Sequence, residues 1–257
     1  MTVVDITPAQ LLLCLLFVAV AGVASILYKL KLEKDLAWGT VRTFAQLLLM
    51  GYVLTYIFQI NNVALILLLF VSMVFWAAFT IRSRIKEKSV SFFLPTFVSM
   101  VISYTVVAIV VTAVIVQVKP WYTPQYFIPL GGMIMGNSMN AIAVALDRMF
   151  SDMNQRRDEI ELTLCLGATY QEATGDIFRG SIRAGMIPSI NALMTVGLVS
   201  LPGMMTGQIL SGTDPLLAVK YQIIVMLMLV ASTAIGSVIV VSVVRRRCFT
   251  RNHQMIV

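Results

Sequence analysis

Thr169 and Glu172, three residues apart and just beyond Gly167, carry the most legible local signal in this chain. A threonine hydroxyl at a helix N-cap accepts a hydrogen bond from the N–H three residues on, and the glutamate there reaches back to the cap's own N–H. Gly167 can take the left-handed conformation that closes a preceding helix. That helix is expected from the helix formers of 155–166, whose acids lie towards its start, where the helix dipole favours them. The pattern predicts a helix-turn-helix within about 148–186, apolar where Ile160 and Leu164 fall. Such a capped hairpin suits a rigid knob inserted into a groove on another protein. An amphipathic pair lying on a bilayer surface is the alternative.

Elsewhere the residues able to do chemistry are thioethers and uncharged polar groups. Met133, Met135, Met139, Met204 and Met205 surround two Gly-x-x-x-Gly motifs, Gly132 to Gly136 and Gly203 to Gly207. A thioether ligates soft metals such as Cu(I), and methionine is equally a flexible apolar filler, so both readings stand. Glycines at that spacing let helix backbones approach closely. Pro202 and Gly203 should break their helix, and broken helices in membranes line cavities. A translocation path is therefore expected at Gly132, Met133, Met135, Gly136, Asn137 and Asn140 of one span and at Pro202, Gly203, Met204, Met205 and Gly207 of the next. The two glycine stripes are expected to share one layer.

Catalytic constellations are missing from the sequence. The single histidine, His253, lies in the tail, and Cys14, Cys165 and Cys248 are far apart with no C-x-x-C pair. No Ser/His/Asp or H-E-x-x-H arrangement occurs, which argues against an enzyme. Without a G-x-x-x-x-G-K-[ST] loop the chain cannot cradle nucleotide phosphates, so no cofactor is expected on it. Any ATP-driven step would need ATP and Mg on a partner chain.

These residues need elements to hold them, and composition says which. Of 257 residues 59% are hydrophobic and 12% charged, with mean hydropathy +0.89, against roughly 25% charged in soluble domains. Crossing about 30 Å of hydrocarbon takes roughly 20 apolar residues per helix. The apolar runs predict an all-α, polytopic transmembrane helix bundle of about seven spans, at 9–28, 36–58, 62–81, 92–117, 128–147, 187–210 and 216–244, and a single transmembrane domain over 1–257. Lysines and arginines concentrate in alternate connections: Lys29, Lys31, Lys34; Arg82, Arg84, Lys86, Lys88; Arg148, Arg156, Arg157, Arg179, Arg183; and Arg245, Arg246, Arg247, Arg251. Only Lys119 and Lys220 fall in the other set, and Arg42 sits within a span. The positive-inside rule then places the amino terminus outside, and the hairpin and carboxyl terminus in the cytoplasm. This topology accounts for the net charge of +7 without nucleic acid; the lipid bilayer of a cell inner (plasma) membrane is the expected setting.

Every acidic residue, from Asp5 to Asp214, lies outside a span or at its very end. Carriers driven by an ion gradient usually need an ionisable group within the bilayer, so an ion-coupled carrier is disfavoured. A mechanotransmission or signalling subunit that moves no substrate is a further alternative. Such proteins usually act on a large extracytoplasmic domain, and the outside connections here are short.

Glu161, Gly167 six residues on, and Ile177 ten beyond resemble the Glu-Ala-Ala…Gly…Ile cytoplasmic loop of ATP-binding-cassette (ABC) permeases. Leu162 and Thr163 replace the two alanines, and Arg179–Gly180 stands where that family has Leu-Pro. Longer strings, at 32–35, 51–54, 128–137, 164–169, 181–184, 196–205, 214–215 and 220–222, resemble the FetB-type ABC permease family of iron-export permeases, relatives of a plant ABC permease half linked to aluminium tolerance. The resemblance spans nearly the whole chain. It implies a transport subunit with a cytoplasmic ABC ATPase as partner, coupled through Glu161, Gly167, Thr169, Glu172 and Ile177, and export of iron or a metal-linked solute. ATP sites form between two ATPases, so a second copy of this chain is expected beside the first.

Overall fold

A backbone in hydrocarbon must satisfy its own polar groups, and the described chain does so with helices. The computed structural model describes residues 7–59, 62–85, 87, 90–250 and 254–256. Asp5, Lys86, Lys88, Arg251 and His253, on which parts of the sequence pattern rest, lie outside the described residues. In order come α1 (Pro8–Leu13), α2 (Leu15–Leu27), α3 (Glu33–Gln59), α4 (Val63–Arg84), α5 (Phe93–Ile109), α6 (Pro124–Gln155), α7 (Arg157–Cys165), α8 (Tyr170–Ala173), α9 (Gly175–Thr195), α10 (Gly203–Leu210) and α11 (Pro215–Arg247). Among the described residues the only β pairing is two isolated bridges, Val196 with Ser200 and Phe249 with Met255.

Six helices among the described residues are long and apolar enough to cross a membrane: Pro8–Leu27, Glu33–Gln59, Val63–Arg84, Phe93–Ile115, Pro124–Gln155 and Pro215–Arg247. The protein is a polytopic helical membrane protein. The span expected at 187–210 is not a continuous helix. It is the end of α9, an irregular stretch at 196–202, and the short α10. Gly197 at φ +84° and Pro202 account for the interruption, since neither is at home in a helix interior. The fourth span instead continues through a π-helical turn, Val110–Ile115, where the Val116 N–H reaches back five residues to the Val111 carbonyl at 2.9 Å.

The chain divides into two compact units, the described part of Met1–Asn61 with Leu210–Gly212, and Asn62–Ile209 with Thr213–Val257. In the first, α2 packs on α3. Its polar join is the Ser25 hydroxyl, which donates to the Glu33 carboxylate at 2.8 Å and accepts from the Leu32 N–H at 3.0 Å.

In the second unit α6 is the central helix, packed against α4, α5, α9 and α11. Its buried residues, among them Phe127, Leu130, Ile134, Ser138, Ile142, Ala145, Met149 and Met153, recur every three or four positions around much of the helix. Aromatic rings lock the neighbours, Phe70 of α4 on Phe127 at 5.1 Å and Phe92 on Phe150 at 5.8 Å. Some buried hydroxyls are satisfied within their own spans, as where Ser181 donates to the Ile177 carbonyl at 2.6 Å and Thr112 to Ala108 at 2.9 Å, whereas those of Thr96, Tyr104, Thr233 and Ser237 have no partner among the described residues. The most crowded glycine among the described residues is Gly185 of α9. A Cβ there would lie 2.5 Å from the Ala141 carbonyl oxygen and 3.0 Å from the Ala145 side chain of α6.

Candidate functional site

The hairpin forms as its sequence dictates. α7 ends at Cys165; Gly167 turns the chain at φ +94° and its N–H donates to the Leu164 carbonyl at 3.0 Å, while Ala168 N–H donates to Thr163 at 3.3 Å. Both halves of the capping box are present: Glu172 N–H donates to the Thr169 hydroxyl at 3.4 Å, and Thr169 N–H to the Glu172 carboxylate at 2.8 Å. The Thr169 hydroxyl also donates to the Glu172 carboxylate at 2.8 Å, and the two Thr169 donors, backbone N–H first and hydroxyl second, hold the Glu172 carboxyl below its ordinary range. Glu159 is held low as well, by the paired Arg156 guanidinium at 2.6 Å.

The hairpin has a buried root and an exposed apolar tip. Ile160 is 1% exposed, and Ile177, expected at the coupling surface, is 3% exposed and anchors α9 in the core instead. Glu161 is exposed and pairs with Arg157 at 2.9 Å. Leu162 and Leu166, four apart, are 64% and 81% exposed. Sequence reasoning missed this pair, because hydropathy marks a leucine as apolar without saying which way it points. The root is pinned to the end of α11. The Arg245 guanidinium lies over the Phe178 ring at 4.2 Å and, farther off, over the Tyr170 ring at 5.9 Å, and Tyr170 in turn stacks on Phe249 at 5.5 Å. Cys248 beside them is buried, its thiol pushed up to about 12 by burial, which leaves it an inert packing group.

The residues expected on the translocation path separate into two places. On α6, Gly132 faces α4, where an added Cβ would lie 3.2 Å from the end of Met73. Gly136, Met135 and Met139 line an open groove of about 300 Å³ with Met73, Trp76 and Thr80 of α4. Asn137 donates to the Ser189 hydroxyl of α9 at 3.4 Å, and Asn140 accepts from Arg84 of α4 at 2.7 Å. Met133 is half-buried. A Cβ added at Gly203 or Gly207 of α10, or at Gly136 of α6, would meet no atom within 4 Å. The two glycine stripes therefore do not pack on each other as expected. α6 instead takes its close contact from α9 at Gly185, outside either motif.

Pro202 and Met205 line the second place, a half-open pocket of about 350 Å³ between the broken stretch, α10 and α11, with Leu193, Leu201, Gln222 and Met226. The break holds its shape through backbone bonds: Gly197 N–H donates to the Ser200 carbonyl at 2.9 Å and Val199 N–H to Thr195 at 2.9 Å. No cluster of three His, Cys, Asp or Glu able to hold a metal exists among the described residues.

Residues 8–249 match the family described as "Uncharacterised protein family (UPF0014)". The chain belongs to the UPF0014 family. It is 41% identical to a UPF0014 membrane protein of Synechocystis sp. over 89% of this chain and 88% of that one. It is 37% identical to the "Probable iron export permease protein FetB" of Escherichia coli over 98% of this chain and 96% of that protein. Identity to "Protein ALUMINUM SENSITIVE 3" of Arabidopsis thaliana is 31%, over 94% and 87%. No solved structure matches. In this UPF0014 chain, Gln222 was the other residue sequence reasoning passed over. Its signal was present all the same: an amide inside a long apolar run, where a polar group in hydrocarbon needs a reason.

Proposed function

We propose that this chain is the membrane-spanning permease subunit of an ABC transporter that exports iron or a metal-linked small solute. Its amino terminus lies outside and its carboxyl terminus in the cytoplasm of the inner membrane. The hairpin docks on a separate ATPase, which carries the ATP and Mg, and two copies of the chain complete the transporter. The observation that carries the reading is the exposed Leu162–Leu166 pair at the tip of a hairpin that is capped, closed by a left-handed glycine and pinned at its root. Large apolar side chains on a rigid projection are what a protein groove takes up. The Escherichia coli relative's name supports export and iron as cargo, and the Arabidopsis relative's name supports a link to metal.

The chain is to be purified from its native membrane in detergent and probed for a co-purifying protein with a Walker motif and ATPase activity. Leu166→Glu should reduce that ATPase at least tenfold while leaving the chain's own yield unchanged, since it places an unpaired charge in the docking groove. Full ATPase recovery with the variant would remove the hairpin from the interface. Iron export by the chain reconstituted alone, without ATP, would overturn the transporter class.

A further inference from the structure

The cavity at the break in the α9–α10 segment has chemistry of its own. Its wall is apolar on nearly every side, from Leu193, Leu201, Pro202, Met205 and Met226, and one polar side chain lines it, Gln222. Gln222 is 6% exposed, and its Oε1 has no hydrogen-bond partner among the described residues. Gln222 lies seven residues into α11, about 10 Å along the axis from Pro215 at 1.5 Å per residue. A carbonyl oxygen buried at that depth without a donor is costly, and native structures supply the donor. The volume, about 350 Å³, is that of a small-ligand site, roughly 300–1,000 Å³.

We infer that this cavity binds a neutral amphipathic molecule, with an apolar body in the pocket and one hydroxyl or N–H that donates to Gln222 Oε1. A bare cation does not suit it. Two thioethers and one amide oxygen would replace a hydration shell poorly, and the wall has no carboxylate, imidazole or thiolate to balance the charge. The donor that Gln222 lacks is what an alcohol or amide supplies without bringing a charge into hydrocarbon. The turn around Gly197 is closed by its own backbone bonds, so the pocket is formed in advance and binding orders little. A metal would enter this site only inside an apolar chelate. The role of the pocket in transport rests on the function proposed above, whereas binding itself is a property of the chain alone and needs no ATPase.

The test is photolabelling of the full chain in phosphatidylcholine nanodiscs with a decanol carrying a mid-chain diazirine, and with the matching diazirine alkane. Labelled residues are mapped by mass spectrometry. The alcohol should label the peptides holding residues 193–205 and 219–227, and excess unlabelled decanol should compete. Gln222→Leu keeps the volume and removes a buried unpaired acceptor, so the protein should fold at least as well. Alcohol labelling should fall about fivefold to tenfold, the size of one hydrogen bond, with alkane labelling unchanged. Leu201→Trp, which fills the pocket, should suppress both probes. Equal alcohol labelling in Gln222→Leu and wild type would overturn the donor assignment. Label spread without competition over the outward faces of α2 and α3 would overturn the site itself. Neither result bears on ATPase docking, so the two readings fail separately.

Discussion

In the spans Pro8–Leu27 and Glu33–Gln59 only 6% of the apolar window is buried, whereas in the four spans of the second unit the share runs from 33% to 56%. The crowded glycines all lie in the second unit, although Gly136, Gly180, Gly203 and Gly207 there are as open as those of the first. A Cβ at Gly22, Gly39 or Gly51 of the first unit would meet nothing within 4 Å, while at Gly131, Gly185 and Gly236 of the second it would strike Phe70, Ala141 and Tyr104. Both units are apolar enough to enter a bilayer, so hydropathy does not separate them. Lipid tails are as apolar as leucine, and helices in a membrane are held together by close packing at small residues rather than by expulsion of water. Insertion and packing are thus written in different residues.

Gly185→Leu is the strongest way to break the comparison. The side chain has no room against Ala141 and Ala145, and overpacking of that kind should cost about 3 kcal/mol, read as thermal unfolding in detergent. Gly51→Leu in the first unit should stay within about 0.5 kcal/mol of wild type. Equal losses at both positions would show that the first unit is packed as tightly as the second.

Gly167→Val sharpens the comparison by separating backbone cost from packing. No atom crowds that position, so the loss is the strain of a branched residue at φ +94°, roughly 1–2 kcal/mol. Hydrogen exchange over 157–173 should rise about tenfold, with the rest of the second unit unaffected. Unchanged protection would mean that the turn has another way to close.

The smallest effect expected is a pH dependence confined to the hairpin cap. Because the folded Glu172 carboxyl titrates below its unfolded value of about 4.3, its contribution is fully present above that value and is lost as pH falls through the lowered folded one. Protection factors at Thr169 and Glu172, that is exchange relative to the intrinsic rate at each pH, should fall on acidification below pH ~4, and Glu172→Gln, which keeps the cap without the charge, should abolish that fall. Persistence of the trend in that variant would assign it to another group.

Much of this was readable from the sequence where the cause is local. Gly167 and the Thr169–Glu172 box fix the hairpin from within a few residues, and five of the long helices sit close to the apolar runs because each run satisfies its own backbone. The break at 196–202 was legible in Pro202 and Gly203, though the turn begins earlier, at Gly197. Which stripes meet was not legible. Gly132 finds Met73 and Gly185 finds Ala141, far away in sequence, and nothing near Gly203 or Gly207 announces that they find no partner. The facing of Ile160 inward and Leu166 outward depends in the same way on neighbours that the local pattern does not contain.

α11 runs unbroken from Pro215 to Arg247 and holds the aromatic clasp of Arg245 near one end and Gln222 towards the other. Between those two residues the axis is about 35 Å long at 1.5 Å per residue. If that helix tilts as one rod, the contact of Arg245 with Phe178 at 4.2 Å beside the hairpin would serve as its fulcrum. A tilt of about 5° at the fulcrum would swing Gln222 by about 3 Å over that length. That displacement is the span of one hydrogen bond, enough to make or withdraw the acceptor at the far end of the lever.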